Sequence, residues 1–157
     1  MEIQVQYYEI LDSTNEMAVR LARQGAPEGT VVVAKEQKNG HGQRQRQWKS
    51  PPGGLWFSIL LRPKIEPSYA AQITLLAGVA AATALRRLYQ MDRIFIKWPN
   101  DLLIGSKKIS GILSEMRLSE QGDIDYIVVG IGVNVNLPAD TFTRELRDTA
   151  VSLNFAT

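Results

Sequence analysis

Three segments between residues 97 and 136 constrain this chain most. They are Lys97-Trp98-Pro99-Asn100-Asp101, then Lys107-Lys108-Ile109-Ser110-Gly111-Ile112-Leu113, then Val129-Gly130-Ile131-Gly132-Val133-Asn134-Val135-Asn136. Each sets apolar strand residues against a lysine, a glycine or an asparagine. A sheet built this way aims a few polar groups into one pocket. Glycines inside strands mark the close approach of a ligand or another backbone, or simply a bulge, and the pattern leaves both readings open. Ile109–Arg117 and Ile124–Asn136 flank the polar turn Ser119–Asp123, which predicts a hairpin.

The rest of the chain supplies the frame. Val5–Leu11 alternates as a strand does. Ser13 with Glu16 fits a capping box opening a helix that carries Met17 and Leu21 and stops near Gly25. Pro27-Glu28-Gly29 turns the chain into Thr30–Ala34, a β-branched run, and Leu55–Leu61 is a further strand. Between them Gln37–Gly54, rich in Gly, Gln and basic residues, reads as a long loop. A helix from Pro67 or Ser68 to about Tyr89 is nearly all apolar, which predicts burial against the sheet. Ile94–Trp98 is a strand stopped by Pro99, Leu102–Ile104 leads into a Gly105-Ser106 turn, and Thr143–Asp148 is weakly helical. Two helices among about seven strands predict an α+β domain with a mixed, largely antiparallel sheet packed against helices.

At 157 residues the chain fits one domain with a real core. Its net charge of +2 is too small to imply nucleic acid. The absence of cysteine excludes disulfides, thiolate catalysis and thiolate metal sites, and a single histidine argues against a His-based one. A magnesium ion carried mainly by substrate phosphates stays open, since it needs only one or two protein oxygens. No signal-peptide pattern opens the chain. The most apolar stretch, Ala70–Leu85, contains Gln72 and Thr74, leans on alanine, and falls short of the roughly 20 apolar residues of a membrane span. These features predict a soluble, cytoplasmic protein.

Each candidate site residue has a functional and a plain reading. A lysine ending an Ile-Phe-Ile strand is expensive to bury unless it meets an anion, and Pro99 would present Asn100 and Asp101 at the strand end. The plain reading of Lys97 is a solvated lysine before an Asx-type turn. Ser13-Thr14-Asn15 is an ordinary helix N-cap, or a set of pocket-lining polar groups, or both. The loop Gln37–Trp48 is a solvated basic loop or a lid. With Lys35, Lys38, Arg44, Arg46 and Lys49 interleaved with Trp48 and Trp56, it also allows a nucleic-acid patch.

The pairing of Lys97-Trp98-Pro99-Asn100-Asp101 with Lys107-Lys108-Ile109-Ser110-Gly111-Ile112-Leu113 resembles the biotin protein ligases. Lipoate ligases are similar in fold but lack this pairing. The loop resembles the family's Gln-x-x-Gly-Arg-Gly-Arg-x-Gly-Arg-x-Trp. It keeps Gln37, Gly40, Gly42, Arg46 and Trp48, and has His41, Gln43 and Gln45 where the family has arginine, arginine and glycine. Ala150-Val151-Ser152-Leu153 is similar to a family stretch that closes the nucleotide side. The resemblance runs from Asp12 to Leu153.

That resemblance implies attack of biotin's carboxylate on the α-phosphate of ATP, with biotinyl-5′-adenylate passed to a lysine of a biotin carboxyl carrier protein. It implies catalytic roles for Lys97 and Arg46. Ser13, Thr14, Asn15, Gln37, Gly40, His41, Gly42, Gln43, Lys97 and Gly111 would form the biotin pocket. Arg46, Trp48, Asn100, Asp101, Lys108 and Asn134 would meet the nucleotide, with Asp101 as the oxygen for Mg2+. ATP and magnesium are the implied cofactors and biotin the substrate. Residues 1–157 would be the catalytic domain alone, without an N-terminal winged helix or a C-terminal SH3-like domain. The implied partner is the carrier protein, with neither DNA nor membrane, and a homodimer is allowed. A lipoate or octanoate ligase and a relative that binds biotin without turnover are the alternatives.

Overall fold

The computed structural model describes residues 1–156, with Ala139 described by its backbone alone. The strands are β1 (Gln4–Leu11), β2 (Thr30–Gln37), β3 (Leu55–Leu61), β4 (Ile94–Lys97), β5 (Asp101–Ile104), β6 (Lys107–Leu118) and β7 (Ile124–Val133). They form a single seven-stranded sheet in the order β1-β2-β3-β7-β6-β5-β4. Only β1 and β2 pair in parallel, joined through helix α1 (Thr14–Arg23), and every other pair is antiparallel. This is the mixed, largely antiparallel α+β architecture expected from the sequence.

Helix α1 starts where Ser13, extended at φ −152°, lets its hydroxyl accept the Glu16 N–H at 3.4 Å. Arg20 and Arg23 in its last turn suit the negative end of the helix dipole. Thr14, Ala18 and Ala22 recur every fourth residue and form the buried stripe. Two alanines in that stripe let α1 lie close on Val32, Leu60, Tyr126 and Val128. Helix α2 (Ala70–Tyr89) covers the opposite face. There Ile73 and Ala77 pack near Ile112, Ile127 and Val129, and Ala82 and Leu85 join Ile94, Leu102, Ile109 and Val133.

Four expectations are corrected. Helix α2 is not buried all round: Gly78, Ala82 and Leu85 are buried, whereas Leu76, Val79 and Leu88 are exposed. As the outer layer over a sheet it has only one face to bury. With its leading turn (Pro67–Tyr69) it is also long and apolar enough to cross a bilayer by length and composition. In this fold that apolar stretch instead packs one stripe on the sheet. Thr143–Asp148 forms hydrogen-bonded turns, with Leu146 N–H to the Thr143 carbonyl at 2.9 Å, and no helix. Its sequence offers no apolar stripe for a helix to bury. Finally, β7 ends at Val133, because Asn134 N–H turns to the Ile109 carbonyl and Asn136 N–H to that of Gly53.

Leu60 is fully buried between β3 and α1. Leu60→Ala should cost about 2–5 kcal/mol of stability. Urea unfolding should show a lower midpoint with an unchanged slope. A midpoint matching the parent would mean α1 does not depend on this contact.

Candidate active site

One row of residues crosses five strands in register: Lys97 opposite Asp101, Asp101 opposite Gly111, Gly111 opposite Gly132, and Gly132 opposite Trp56. Two residues along, Leu113, Gly130 and Ser58 form a second row. Cross-strand neighbours share a face of the sheet, so three glycines leave a trough on the α1 side. The trough is used. A Cβ on Gly132 would lie 2.7 Å from Trp48 Nε1, one on Gly111 3.1 Å from Trp48 Cζ3, and one on Gly130 2.1 Å from Asn15 Oδ1. The Trp48 indole therefore rests on a two-glycine bed, edge-on to Trp56 at 6.4 Å. Its Nε1 is buried and has no hydrogen-bond partner among the described residues.

Lys108 reaches this bed through an irregularity. Leu102 pairs with Ser110 but Leu103 pairs with Lys108, so Ile109 is the extra residue of a bulge. A regular strand would point Lys108 and Gly111 to opposite faces. The bulge cancels one alternation. Lys108 Nζ consequently stands 3.2 Å from the Gly111 Cβ position, 4.9 Å over the Trp48 ring and 2.6 Å from Asp101 Oδ1. The Asp101 contact is an ion pair outside hydrogen-bond alignment, which leaves Oδ1 buried without a hydrogen-bond partner.

The start of α1 and the end of β2 make the polar end of the cleft. Gln37 Oε1 accepts from the Thr14 backbone N–H at 2.8 Å and lies 3.0 Å from Thr14 Oγ1. Gln37 Nε2 donates to Ser50 Oγ at 2.8 Å. The loop above is ordered by Gly42 N–H to the Arg46 carbonyl and Trp48 N–H to the Gly40 carbonyl, each at 2.8 Å. Between these, Gln43–Gln45 forms one tight turn in which Arg44 (φ 56°) and Gln45 (φ 58°) are left-handed. Non-glycine residues pay about 1–2 kcal/mol for that conformation, so Gln45 fills a place that a glycine would take without strain. The cleft measures about 770 Å³, the size of a small-molecule site.

All the residues assigned from the sequence to catalysis, biotin or the nucleotide line this cleft except Gly40. Gly40 is buried behind it, where a Cβ would lie 2.6 Å from the Trp48 carbonyl oxygen, so close backbone packing explains this glycine. Lys97 is exposed at the rim, so its charge stays solvated and, contrary to expectation, needs no anion to offset burial. Asn15, Asn100 and Asn134 are engaged by the protein itself: Asn15 with Glu115, Asn100 with the Ile112 carbonyl, Asn134 with the Val151 carbonyl. Leu137, Phe142, Leu146 and Thr149 also wall the cleft. They lie in a segment with no periodicity to flag them. Among the described residues no group of three or more His, Asp or Glu could cage a metal. The Asp101 carboxylate, which lines the cleft and is ion-paired to Lys108, is one oxygen source of the kind that suffices for a magnesium held mainly by phosphates.

Comparison with known proteins agrees with this geometry. The model of the Biotin/lipoate A/B protein ligase family matches residues 7–134. The bifunctional ligase/repressor BirA of Bacillus subtilis is 44% identical over 153 residues, covering 96% of this chain and 46% of that protein. The biotin–[acetyl-CoA-carboxylase] ligase of Paracoccus denitrificans is 40% identical over 125 residues, with 79% and 51% covered. The chain thus spans about half the length of these relatives. Among solved structures, the Aquifex aeolicus biotin protein ligase in complex with biotin and ATP superposes with a TM-score of 0.81 at 36% identity, covering 98% of this chain and 61% of that one. The Leishmania major enzyme in complex with biotinyl-5-AMP gives 0.79 at 26% identity, covering 99% and 65%. With a glycine-floored cleft at its centre and most of its length inside the family's model, the chain belongs to the biotin/lipoate A/B protein ligase family.

Proposed function

We propose that this domain activates biotin with ATP and transfers the biotinyl group to a lysine of a biotin carboxyl carrier protein in the cytoplasm. The observation that carries the reading is a single cleft with a polar end, an apolar glycine-floored middle and a basic end. A molecule with a cyclic urea, a hydrocarbon body and a carboxylate matches that sequence of surfaces. Relatives named as biotin ligases, and structures holding biotin with ATP or biotinyl-5-AMP, support it.

The urea end belongs with Ser13, Thr14 and Gln37, whose polar groups can meet a carbonyl and N–H groups that an apolar wall would leave unsatisfied. The carboxylate then points toward Lys108. Of the two lysines, Lys108 is the better placed for the reacting centre, because it lies over the glycine bed with its side chain only 29% exposed. Lys97, at the open rim, suits the outer phosphates. In the first step a carboxylate oxygen bonds to the α-phosphorus and the bond to the pyrophosphate oxygen breaks. In the second, the carrier amine bonds to the acyl carbon, AMP leaves, and the amine sheds its proton. Both steps gain from aligned reactants and from fixed positive charge where negative charge builds. Magnesium, when bound beside Asp101, would neutralise phosphate charge. Arg46 and Trp48 take the nucleotide side, the first by charge-assisted hydrogen bonds and the second by its ring face.

The direct experiment is incubation with biotin and magnesium-ATP, followed by mass spectrometry for biotinyl-adenylate. Formation of a lipoyl- or octanoyl-adenylate instead would favour the lipoate ligase reading, and biotin binding without any adenylate a binding-only relative.

Lys108→Ala should lower adenylate formation about 10²-fold or more, the scale for removing a key charge stabiliser. Lys97→Ala should cost markedly less. Single-turnover rates would decide this, and a larger loss at Lys97 would return the central role to it.

Gln43→Arg should slow escape of the intermediate. Arginine can offer two parallel charge-assisted hydrogen bonds where glutamine offers neutral donors. A gain of about 1.5–3 kcal/mol corresponds to roughly 10- to 150-fold slower release. The glutamine form should accordingly leak adenylate and label nearby lysines with little discrimination. Equal retention by both forms would show that the loop does not hold the intermediate.

A further inference from the structure

Behind the polar end of the cleft runs a chain of hydrogen bonds whose direction is fixed from outside. Glu115, half-buried on β6, accepts from Asn15 Nδ2 at 2.7 Å, and the Leu113 carbonyl accepts from the same nitrogen at 3.4 Å. An ionised carboxylate only accepts, so the Asn15 amide cannot turn round, and its oxygen faces Ser58. On the other side the Thr14 backbone N–H, which only donates, fixes Gln37 with its oxygen toward Thr14 and its nitrogen toward Ser50. Neither Ser58, which is fully buried, nor Glu115 lines the cleft.

Counting protons exposes an imbalance. Three close oxygen–oxygen contacts result: Ser58 Oγ to Asn15 Oδ1 at 2.6 Å, Ser58 Oγ to Thr14 Oγ1 at 2.8 Å, and Thr14 Oγ1 to Gln37 Oε1 at 3.0 Å. The two amide oxygens carry no proton, and the two hydroxyls carry one each. Three contacts share two protons, so one contact is always a meeting of lone pairs. Gly130, where a Cβ would lie 2.1 Å from Asn15 Oδ1, lets this cluster press against the sheet.

We propose that Glu115 and Ser58 are specificity-determining residues acting through Asn15 and Thr14: they hold the polar end of the cleft one proton short, so that it selects a ligand bringing an N–H donor. A cyclic urea brings two such donors. A dithiolane or plain acyl chain brings none, and meets only the excess of lone pairs. The proposal rests on the biotin reading of the cleft and explains how residues that never touch the ligand enforce it.

The test uses a pair of substitutions. Glu115→Gln keeps the size of the side chain but can donate, so the Asn15 amide is free to reverse and supply the missing proton. By titration calorimetry without ATP, biotin should bind Glu115→Gln about tenfold more weakly than the parent. The melting temperature should not fall, and KM for ATP should stay within about twofold, as a merely structural role would not arrange. Because the effect passes through Thr14, adding Glu115→Gln to Thr14→Val should change biotin affinity by less than about twofold. Should the Gln variant lose cooperative unfolding, Glu115→Ala frees the same amide and should give the same pattern. Biotin binding within twofold of the parent in the Glu115 variant, or additive losses in the double variant, would overturn the proposal. Absence of biotin binding by the parent would instead overturn the biotin reading itself.

Discussion

The pairing of Gly111 with Gly132 across β6 and β7 is the constraint on which the site depends. A sheet interior is normally packed solid by side chains; a Cβ at Gly132 would collide with the Trp48 indole at 2.7 Å, and one at Gly111 would crowd it at 3.1 Å. Because both lack a side chain, the loop can lay its tryptophan directly on the backbone and roof a cleft with it. Trp48 then contacts Trp56 from the row's next strand, which ties the loop to the core cluster containing Leu137 and Phe142. The loop is thus anchored at its end by packing, while its tip, Gln43–Gln45, turns through left-handed Arg44 and Gln45.

Much of this was legible in the chain. Alternation and the polar turn Ser119–Asp123 located the β6–β7 hairpin, and the Ser13 cap located α1, because both signals are local. The pairing of β1 with β2 and the row from Lys97 to Trp56 depend on contacts between distant segments. Motifs named which residues mattered without saying which way they faced. Gly40 shows the ambiguity: a loop glycine looks the same whether a ligand or a carbonyl approaches it. Helix α2 shows another. An apolar composition records that one stripe is buried, but not whether the other meets anything.

The face on which Lys108 emerges and the role of Ser58 were hidden for different reasons. Lys108 owes its position to the bulge at Ile109, and a one-residue irregularity reverses the face on which a side chain emerges. Simple alternation would place it away from Gly111. Ser58 and Glu115 meet Asn15 across sequence separations of 43 and 100 residues, so no local pattern could join them. Both are ordinary strand residues by composition.

The ion pair at the basic end completes the logic. Asp101 and Lys108 are each only partly exposed, so leaving Lys108 unpaired above an apolar indole would be costly in the empty cleft. Asp101 meets that need at 2.6 Å without forming an aligned hydrogen bond, which leaves the ammonium protons free to turn. On the proposed function, the carboxylate of biotin would compete with Asp101 for those donors. On that reading, charge is fixed in place before the substrate arrives, which spares the reorganisation that water would demand. The proposed proton shortage at the polar end and the Lys108–Asp101 pair at the basic end thus lie at opposite sides of the glycine floor.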